Sequence, residues 1–187
     1  LPWRVHDLLP DIPVEDVWRF PLELGPQDDL ETFRAQMMAA VDGMGSASAL
    51  ALLLRIRLAI GRVLRLDPKE GDPRPMRFRH RYAAAEGIDP ELEPEDMAGD
   101  FSLVYRLDDE YLGEIENKTV LAALHLGRVP LSTGNAAVHL AVYSQPKGWL
   151  GKAYMLFIKP FRLWIVYPAI MKSAARRWSD HKVAGGD

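Results

Sequence analysis

Two histidines, His125 and His139, are the residues of this chain best placed to do chemistry. In the strand register predicted below they lie directly opposite each other on adjacent strands, which brings their Cβ atoms to about 5 Å. Two imidazoles at that separation could share a proton or a metal ion, with Glu110 at the strand end as the nearest third partner. A catalytic zinc site needs three protein ligands, so we predict no metal and no other cofactor. The alternative is a pair of ordinary histidines on a half-polar sheet face.

Carboxylates on the same sheet face provide a second candidate for acid–base chemistry. Glu114 and Glu116 could each act as a general acid or base. The predicted register separates Glu114 from the histidines by more than about 10 Å, which excludes a direct dyad. Arg106 falls diagonal to Glu114, and a solvated salt bridge between them is the competing interpretation. The catalytic candidates are therefore His125, His139 and Glu114.

A set of aromatic residues could instead bind an apolar ligand. Tyr105 and Tyr111 are predicted on the apolar sheet face, where they would meet aromatic side chains of the C-terminal helix. A tyrosine in an apolar pocket offers a hydroxyl group that orients a ligand or donates a proton. Plain core packing is the simpler interpretation of each of these residues taken singly. The candidate ligand-binding residues are Tyr105, Tyr111, Tyr154, Phe157, Phe161 and Trp164.

The strands that position these residues begin at Phe101, where the hydrophobic pattern switches to a period of two. The three predicted hairpins pair Leu107 with Tyr111, Ile115 with Val120, and Leu126 with Val138. A slip of one residue would turn every apolar side chain outward, so the agreement of all three hairpins supports this register. The result is a four-stranded antiparallel meander with one apolar face and one half-polar face.

A long helix is predicted from Pro146 to Trp178, directly after the last strand. Apolar residues recur there at spacings of three and four and form one stripe: Leu150, Tyr154, Phe157, Ile158, Phe161 and Ile165. Lys152 and Lys159 fall on the opposite face. Pro160 removes a backbone hydrogen bond in the middle of the helix and predicts a kink. We expect this helix to lie across the sheet with its aromatic side inward.

Upstream of the meander the pattern predicts one strand and two helices. The strand covers residues 14–22, and the helices cover 30–41 and 49–66. Residues 67–100 are rich in proline and charge and lack periodicity, so we predict a variable loop or lid there. Residues 179–187 are predicted to be a disordered tail. The whole chain is then a single α+β domain ordered as strand, helix, helix, long loop, four strands and long helix.

The overall composition excludes several classes of function. The chain has 187 residues, a net charge of −3 and a pI near 6.0, which argues against a broad nucleic-acid footprint. It has no cysteine, which excludes disulfides, thiolate metal sites and cysteine nucleophiles. Neither a signal peptide nor an uninterrupted apolar span of about 20 residues is visible, so we predict a cytoplasmic protein. The helix at 49–66 carries arginines beside an apolar face, which leaves a role at an anionic membrane surface as an alternative.

Three segments of the chain resemble a known family. They are WRVHDLLPDIPVEDVW (residues 3–18), EIENKTVLAALHLGRVP (114–130) and GKAYMLFIKPFRLWIVYPAIM (151–171). They are similar to an uncharacterised actinobacterial domain-of-unknown-function family that is grouped with the START-like, or polyketide-cyclase-like (SRPBCC), helix-grip proteins. The resemblance implies a curved antiparallel sheet that grips the C-terminal helix around an internal cavity. It implies no catalytic residue, because none is established for that family.

The resemblance and the residue pattern together lead to one main hypothesis and two alternatives. Proteins of the wider helix-grip superfamily bind lipids, steroids, polyketides and plant hormones, and some catalyse cyclisation or dehydration. We therefore expect this protein to bind an apolar or aromatic small molecule between the sheet and the C-terminal helix. The first alternative is a cofactor-independent cyclase, dehydratase or isomerase acting on a polyketide-like substrate in that cavity. The second is a peripheral membrane or partner-binding module, and the oligomeric state stays open.

Overall fold

A five-stranded antiparallel sheet forms the centre of the structure, a computed structural model that describes residues 2–44, 77–90 and 101–184. The strands are β1 (Val14–Leu24), β2 (Ser102–Arg106), β3 (Glu110–Glu116), β4 (Val120–Pro130) and β5 (Ala136–Pro146). Their order in the sheet is β1-β5-β4-β3-β2. The predicted four-stranded meander is therefore confirmed, and β1 extends it at the β5 edge.

The helices of the described residues fall into an N-terminal group and a continuous C-terminal rod. They are α1 (Arg4–Leu8), α2 (Leu30–Asp42), α3 (Arg77–Glu86), α4 (Gly148–Phe161), a π-helical turn (Arg162–Val166) and α5 (Tyr167–Ala184). α4, the π-helical turn and α5 follow one another without a break. The long C-terminal helix predicted after the last strand is thus confirmed, and the α+β class with it.

One face of the sheet, which we call the α5 face, is covered by α2 and α5. Phe33 of α2 contacts Phe20 of β1 and Trp178 of α5 at ring-centroid distances of 4.9 and 5.7 Å. Asp29 caps the start of α2, because its carboxylate accepts a hydrogen bond from the backbone N–H of Thr32 at 2.6 Å. The other buried apolar residues of this layer include Tyr111, Leu126, Val138, Leu140, Tyr167 and Met171. Each large side chain buried here contributes about 1.5–3 kcal/mol.

The opposite face, which we call the α3 face, is also covered. α1, the residues that follow it and α3 pack onto this face and bury a second apolar cluster. Its members include Val5, Leu8, Leu9, Phe78, Leu112, Leu121 and Tyr143. The sheet is therefore the middle layer of three, and the face predicted to be half-polar is largely enclosed.

The observed strand register differs from the predicted one by two residues in two hairpins. Ile115 pairs with Ala122 rather than with Val120. Leu126 pairs with Leu140 rather than with Val138. A shift of two residues keeps every side chain on its predicted face, because side chains alternate with a period of two. The assignment of residues to faces in these strands is correct even though the pairing is wrong.

A β-bulge in β2 overturns the predicted position of one candidate residue. The register between β2 and β3 shifts between Leu103, which pairs with Gly113, and Tyr105, which pairs with Leu112. An extra residue in one strand reverses the side on which the following side chains point. Tyr105 therefore lies on the α3 face and not, as predicted, beside Tyr111 on the α5 face.

The part of the C-terminal helix that packs over the sheet is α5 rather than α4. Tyr167, Met171 and Trp178 of α5 are buried against β1 and α2. Of α4, only Gly151 and Met155 are buried. The buried side of the C-terminal helix therefore begins after the predicted aromatic stripe has ended, and much of α4 faces outward.

Two segments outside the sheet differ from the sequence-based description. Residues 77–86, in the middle of the predicted loop or lid, form α3, and residues 179–184 of the predicted tail continue α5. The helix predicted at 49–66 lies outside the described residues. The architecture, a sheet with a long C-terminal helix across one face, is compatible with a helix-grip fold. Among the described residues, none of the helices is both long and apolar enough to cross a bilayer.

Candidate functional site

The six aromatic residues predicted to line one cavity lie on separate surfaces. Tyr111 is buried on the α5 face, where the guanidinium group of Arg34 lies 4.7 Å from its ring centroid. Tyr105 is buried on the α3 face. The remaining four belong to α4 and the π-helical turn: Tyr154, Phe157, Phe161 and Trp164. The structure therefore does not bring the six residues together around a single space.

The outer side of the C-terminal helix exposes four large apolar side chains, which we call the aromatic face: Trp149, Leu156, Phe157 and Trp164. Their exposed fractions are 81, 74, 54 and 78 %, respectively. Their spacing along the chain places them on one side of an α-helix. Single exposed apolar residues are common on protein surfaces, but a group of this size on one element is typical of a binding surface.

The orientation of α4 is set at its first turn by the end of the β3–β4 hairpin. The backbone N–H of Lys147 donates a hydrogen bond to the carbonyl oxygen of Thr119 at 2.7 Å. One turn later Gly151 is buried against the same oxygen, and a Cβ atom at this position would lie 2.2 Å from it. Because this approach requires a residue without a side chain, Gly151 fixes the inward side of α4 and so the outward direction of the aromatic face.

A partly buried ion pair holds the other end of the aromatic face. Nη2 of Arg162, the first residue of the π-helical turn, lies 2.8 Å from Oδ2 of Asp16 on the edge strand β1. Glu15 approaches the same nitrogen at 3.7 Å. Pro160 lacks the N–H group that a continuous α-helix would use here, and the chain passes into the wider π geometry directly afterwards.

The charged residues of the chain segment that carries the aromatic face are all basic. From residue 147 to residue 179 the chain contains no aspartate or glutamate. The basic residues in this stretch are Lys147, Lys152, Lys159, Arg162, Lys172, Arg176 and Arg177. A chain whose overall net charge is −3 thus carries seven basic residues and no acidic residue between positions 147 and 179. An apolar surface within a positive field is suited to ligands that combine apolar chains with negative groups.

A second site candidate is a buried polar cluster on the α3 face, formed by Tyr105, Glu110 and His125. The hydroxyl group of Tyr105 donates a hydrogen bond to Oε2 of Glu110 at 2.9 Å. Nε2 of His125 lies 3.1 Å from the same oxygen. Both glutamate oxygens are used, because the backbone N–H of Arg4 donates to Oε1 at 2.8 Å. The cluster joins a base, a carboxylate and a phenol within one hydrogen-bonded chain.

The electrostatics of this cluster follow from burial and from its hydrogen bonds. Burial by itself raises the pKa of Glu110, but the hydrogen bonds from His125, the Arg4 backbone and Tyr105 outweigh it, so the pKa is lowered. Burial and the neighbouring Glu110 carboxylate raise the pKa of Tyr105. Tyr105 therefore stays a protonated hydrogen-bond donor, and Glu110 stays an ionised acceptor.

The N-terminal segment covers this cluster. The ring of Trp3 meets the ring of His125 edge to face, with centroids 5.5 Å apart. Gly127 lies beneath them, and a Cβ atom there would come within 3.0 Å of His125 and 3.2 Å of Trp3. Tyr105, Glu110 and His125 are all buried as a result. A substrate would reach them only after the N-terminal segment had moved.

The predicted pair of opposed histidines is wrong. His125 pairs with Ala141, and His139 pairs with Gly127, because of the two-residue shift between β4 and β5. The two histidines are diagonal neighbours on the α3 face, a relation that separates such residues by about 7–8 Å. Glu110, the predicted third partner, is instead the direct partner of His125. Burial, and to a lesser degree Arg19, lowers the pKa of His139.

Glu114 has a different position and partners from those predicted. Its carboxylate is buried and accepts hydrogen bonds from the backbone N–H groups of Phe78 and Arg79 at 2.9 and 2.8 Å. It thereby satisfies free N–H groups in the first turn of α3. Burial raises the pKa of Glu114, and these two hydrogen bonds offset the effect in part. Arg106, its predicted partner, approaches Glu31 at 3.8 Å.

Sequence reasoning missed the two features that the structure brings forward. The Tyr105–Glu110 contact depends on the bulge in β2, for which the sequence carries no turn or glycine signal. The basic rod could have been found, because the absence of acidic residues between 147 and 179 is visible in the sequence. No group of three or more potential metal ligands occurs in the ranges that the structure describes.

Comparison with known proteins identifies a family for this chain. A family model described as "Protein of unknown function (DUF2867)" matches residues 8–169. The matched region begins within α1 and ends just inside α5, so it contains the whole sheet, the polar cluster partners on β2 to β4, and the aromatic face. No curated protein and no solved structure matches the chain.

Proposed function

Because the chain belongs to the DUF2867 family, whose function is unknown, we propose a function from its surface: it binds lipid through the aromatic face. The observation that carries this proposal is the exposure of two tryptophans, a phenylalanine and a leucine on one side of α4 and the π-helical turn. The ligand class, lipid or a similar apolar molecule, is the one expected from the sequence. The binding surface moves from an internal cavity to the outer side of the helix.

Exposed aromatic side chains are costly in water and favourable at a lipid boundary. Transfer of a large apolar side chain out of water contributes about 1.5–3 kcal/mol when burial is complete. Trp149 and Trp164 also carry an indole N–H, which suits them to the boundary between apolar chains and polar headgroups. Four such side chains on one face supply enough free energy for reversible binding to a lipid surface.

The rigid mounting of the aromatic face also supports lipid binding. Gly151 fixes one end of α4 against the sheet, and the Arg162–Asp16 pair fixes the π-helical turn against β1. A surface held in position loses little conformational entropy when it binds. The aromatic side chains are therefore presented to a ligand in a constant arrangement.

Vesicle sedimentation tests this function directly. We expect the protein to co-sediment with vesicles of zwitterionic phosphatidylcholine, and the double variant Trp149→Ser, Trp164→Ser to bind at least about tenfold more weakly. The matched control is Ile88→Ser, Leu107→Ser, which removes two exposed apolar side chains elsewhere on the surface. Equal binding by the double variant and the wild type would refute the proposal.

Three broader assignments belong to the same proposal. The grouping of this family with the START-like, polyketide-cyclase-like proteins is supported by the compatible arrangement of sheet and C-terminal helix. An actinobacterial origin follows from the resemblance of the three sequence segments. A cytoplasmic location follows from the sequence-based prediction.

A second candidate function, a cofactor-independent cyclase, dehydratase or isomerase, is favoured by the Tyr105–Glu110–His125 cluster. Such enzymes need a proton donor and acceptor in one buried site, and this cluster provides both within 3.1 Å. The test is a titration of histidine-labelled protein with a hydroxylated anthraquinone, followed by NMR. A change in the His125 ring signals that is lost in Tyr105→Phe supports this function, and unchanged signals contradict it.

A further inference from the structure

We propose that the bound lipid is a bilayer surface rich in anionic headgroups, and that the protein lies on it along the C-terminal rod. This inference rests on the proposed lipid-binding function and adds the charge of the partner. It follows from the distribution of basic side chains on the outer side of α4 and α5. The helix predicted at 49–66, the earlier candidate for a membrane contact, plays no part in it.

The exposed stripe of the rod is apolar in its first half and basic in its second half. Its first half is the aromatic face, which ends at Trp164. Beyond it the exposed residues Pro168, Lys172 and Arg176 continue the stripe at intervals of four. At about 1.5 Å per residue, the stripe from Trp149 to Arg176 is about 40 Å long. An apolar half followed by a basic half on one side is the pattern of a helix that lies in the plane of a membrane interface.

The exposed cations of the rod differ in their partners: Lys159 lies 4.0 Å from Glu15, and Arg177 donates a hydrogen bond to Gln36 at 3.2 Å. Lys147 is held by Glu116 and Arg162 by Asp16, both on the inward side of the rod. Among the described residues no ion pair involves Lys152, Lys172 or Arg176, and all three are exposed. These three form the charged set that is open to a headgroup: Lys152, Lys172 and Arg176.

The net charge of the rest of the chain favours one orientation of the protein on an anionic surface. Removing the seven basic residues of the stretch 147–179, which contains no acidic residue, from the chain's 23 leaves 16, against 26 acidic residues. The rest of the protein is therefore repelled by an anionic surface while the rod is attracted to it. This asymmetry favours one docking orientation, with the rod against the headgroups and the sheet above it.

An anionic bilayer fits this surface better than a protein partner. A protein would need a complementary acidic and apolar strip of about 40 Å, whereas a bilayer offers apolar chains and phosphate groups at every point. Tryptophan residues at the level of the headgroups are typical of membrane interfaces. The geometry therefore points to a lipid surface rather than to a second copy of the chain.

The experiment compares vesicles of phosphatidylcholine with vesicles that also contain 30 % phosphatidylserine, at low and high salt. We expect the anionic vesicles to bind at least tenfold more tightly and to lose this advantage in 0.5 M salt. The triple variant Lys152→Gln, Lys172→Gln, Arg176→Gln should bind anionic vesicles about 100-fold more weakly, at about fivefold per residue. Its binding to neutral vesicles should be unchanged.

The matched control removes the same charge elsewhere. The variant Arg19→Gln, Arg77→Gln, Lys118→Gln also lowers the net charge by three, at positions outside the rod. It should bind anionic vesicles within about threefold of the wild type. An equal loss in both variants would show that net charge alone matters, and would overturn the proposal.

The remaining outcomes separate this inference from the proposed function. Binding to neutral vesicles without a gain from phosphatidylserine overturns the anionic preference and leaves lipid binding intact. Failure to bind either vesicle overturns both. Self-association in solution that Trp149→Ser, Trp164→Ser abolishes, together with absent vesicle binding, would assign the aromatic face to a second copy of the chain. Thermal unfolding of each variant by circular dichroism confirms that the fold is retained.

Discussion

Replacement of Gly151 by alanine has two opposite effects on the stability of the protein, one from helix propensity and one from the packing of α4 against the β3–β4 hairpin. Alanine is a better helix former than glycine by about 1 kcal/mol, so helix propensity alone predicts a more stable protein. The structure predicts the reverse, because the added Cβ atom would lie 2.2 Å from the carbonyl oxygen of Thr119. Ordinary contact for such a pair is about 3.4 Å, so α4 must move by about 1 Å or more.

The contacts of α4 with the sheet give an estimate of the free energy that this movement costs. It weakens the hydrogen bond from the Lys147 N–H to the Thr119 oxygen, which contributes about 1 kcal/mol. It also disturbs the buried packing of Met155, and overpacking of this kind costs about 1–3 kcal/mol. After subtraction of the propensity gain, we expect Gly151→Ala to lower the free energy of unfolding by about 1–3 kcal/mol.

The assay is urea denaturation followed by circular dichroism, with Ala153→Gly as the matched control. Ala153 lies on the exposed side of the same helix, so this variant measures propensity alone and should lose about 1 kcal/mol. Gly151→Ala should also weaken vesicle binding, since it displaces the helix that carries the aromatic face. A rise in the urea midpoint for Gly151→Ala would refute the close contact between α4 and the β3–β4 hairpin.

The buried cluster and the α2 cap give two further predictions. The folded pKa of Glu110 lies below its ordinary value of 4.5, so ionised Glu110 stabilises the fold above that pH, and the contribution is lost as the pH falls through the folded pKa. In urea titrations the free energy of unfolding of the wild type should therefore exceed that of Glu110→Gln most above pH 4.5, and the two should converge as the pH falls below 4.5 through the folded pKa. A difference that stays constant with pH would contradict the hydrogen-bonded carboxylate. Asp29→Ala removes the acceptor for the Thr32 N–H and should lower the free energy of unfolding by about 1 kcal/mol, seen as a lower thermal midpoint. Asp29→Asn keeps an acceptor and should recover most of this loss. An unchanged midpoint in Asp29→Ala would contradict the cap.

The sequence was most informative about the faces of the sheet. Apolar residues at alternate positions from Phe101 onward assign Leu126, Val138 and Leu140 to one face, and the structure agrees. The pairing of the strands was predicted wrongly by two residues, because an even shift leaves the same side chains inside and the pattern cannot detect it. The position of the turn decides such shifts. Asn117 donates a backbone hydrogen bond to Val120, so the β3–β4 turn is formed by Lys118 and Thr119, one residue later than the predicted pairing of Ile115 with Val120 requires.

The candidate polar site could not be predicted in the same way. Tyr105 reaches Glu110 because of a bulge, and a bulge reverses the face of the residues that follow it without changing the composition of the strand. The cap of α3 by Glu114 joins residues 35 and 36 positions apart. Contacts of this kind depend on the tertiary arrangement, whereas residue periodicity reports on local structure.

The inward side of α4 could not be predicted from the sequence, for a different reason. The helix has apolar residues on nearly every side, so its period identifies a helix without identifying its inward face. The sequence-based choice placed Phe157 inside, whereas the structure buries Gly151 and Met155 and exposes Phe157. The small residue, which permits the closest approach of the backbone, marks the inward side better than the large ones.

The most direct test of lipid binding by the aromatic face is tryptophan quenching by brominated phosphatidylcholine vesicles. Of the five tryptophans, Trp149 and Trp164 are the ones on the aromatic face, and Trp178 is buried. We expect strong quenching in the wild type and little in Trp149→Phe, Trp164→Phe, a variant that retains an apolar face and should still co-sediment. Quenching of equal strength in the two proteins, or none in the wild type, would contradict the claim that this face enters the lipid.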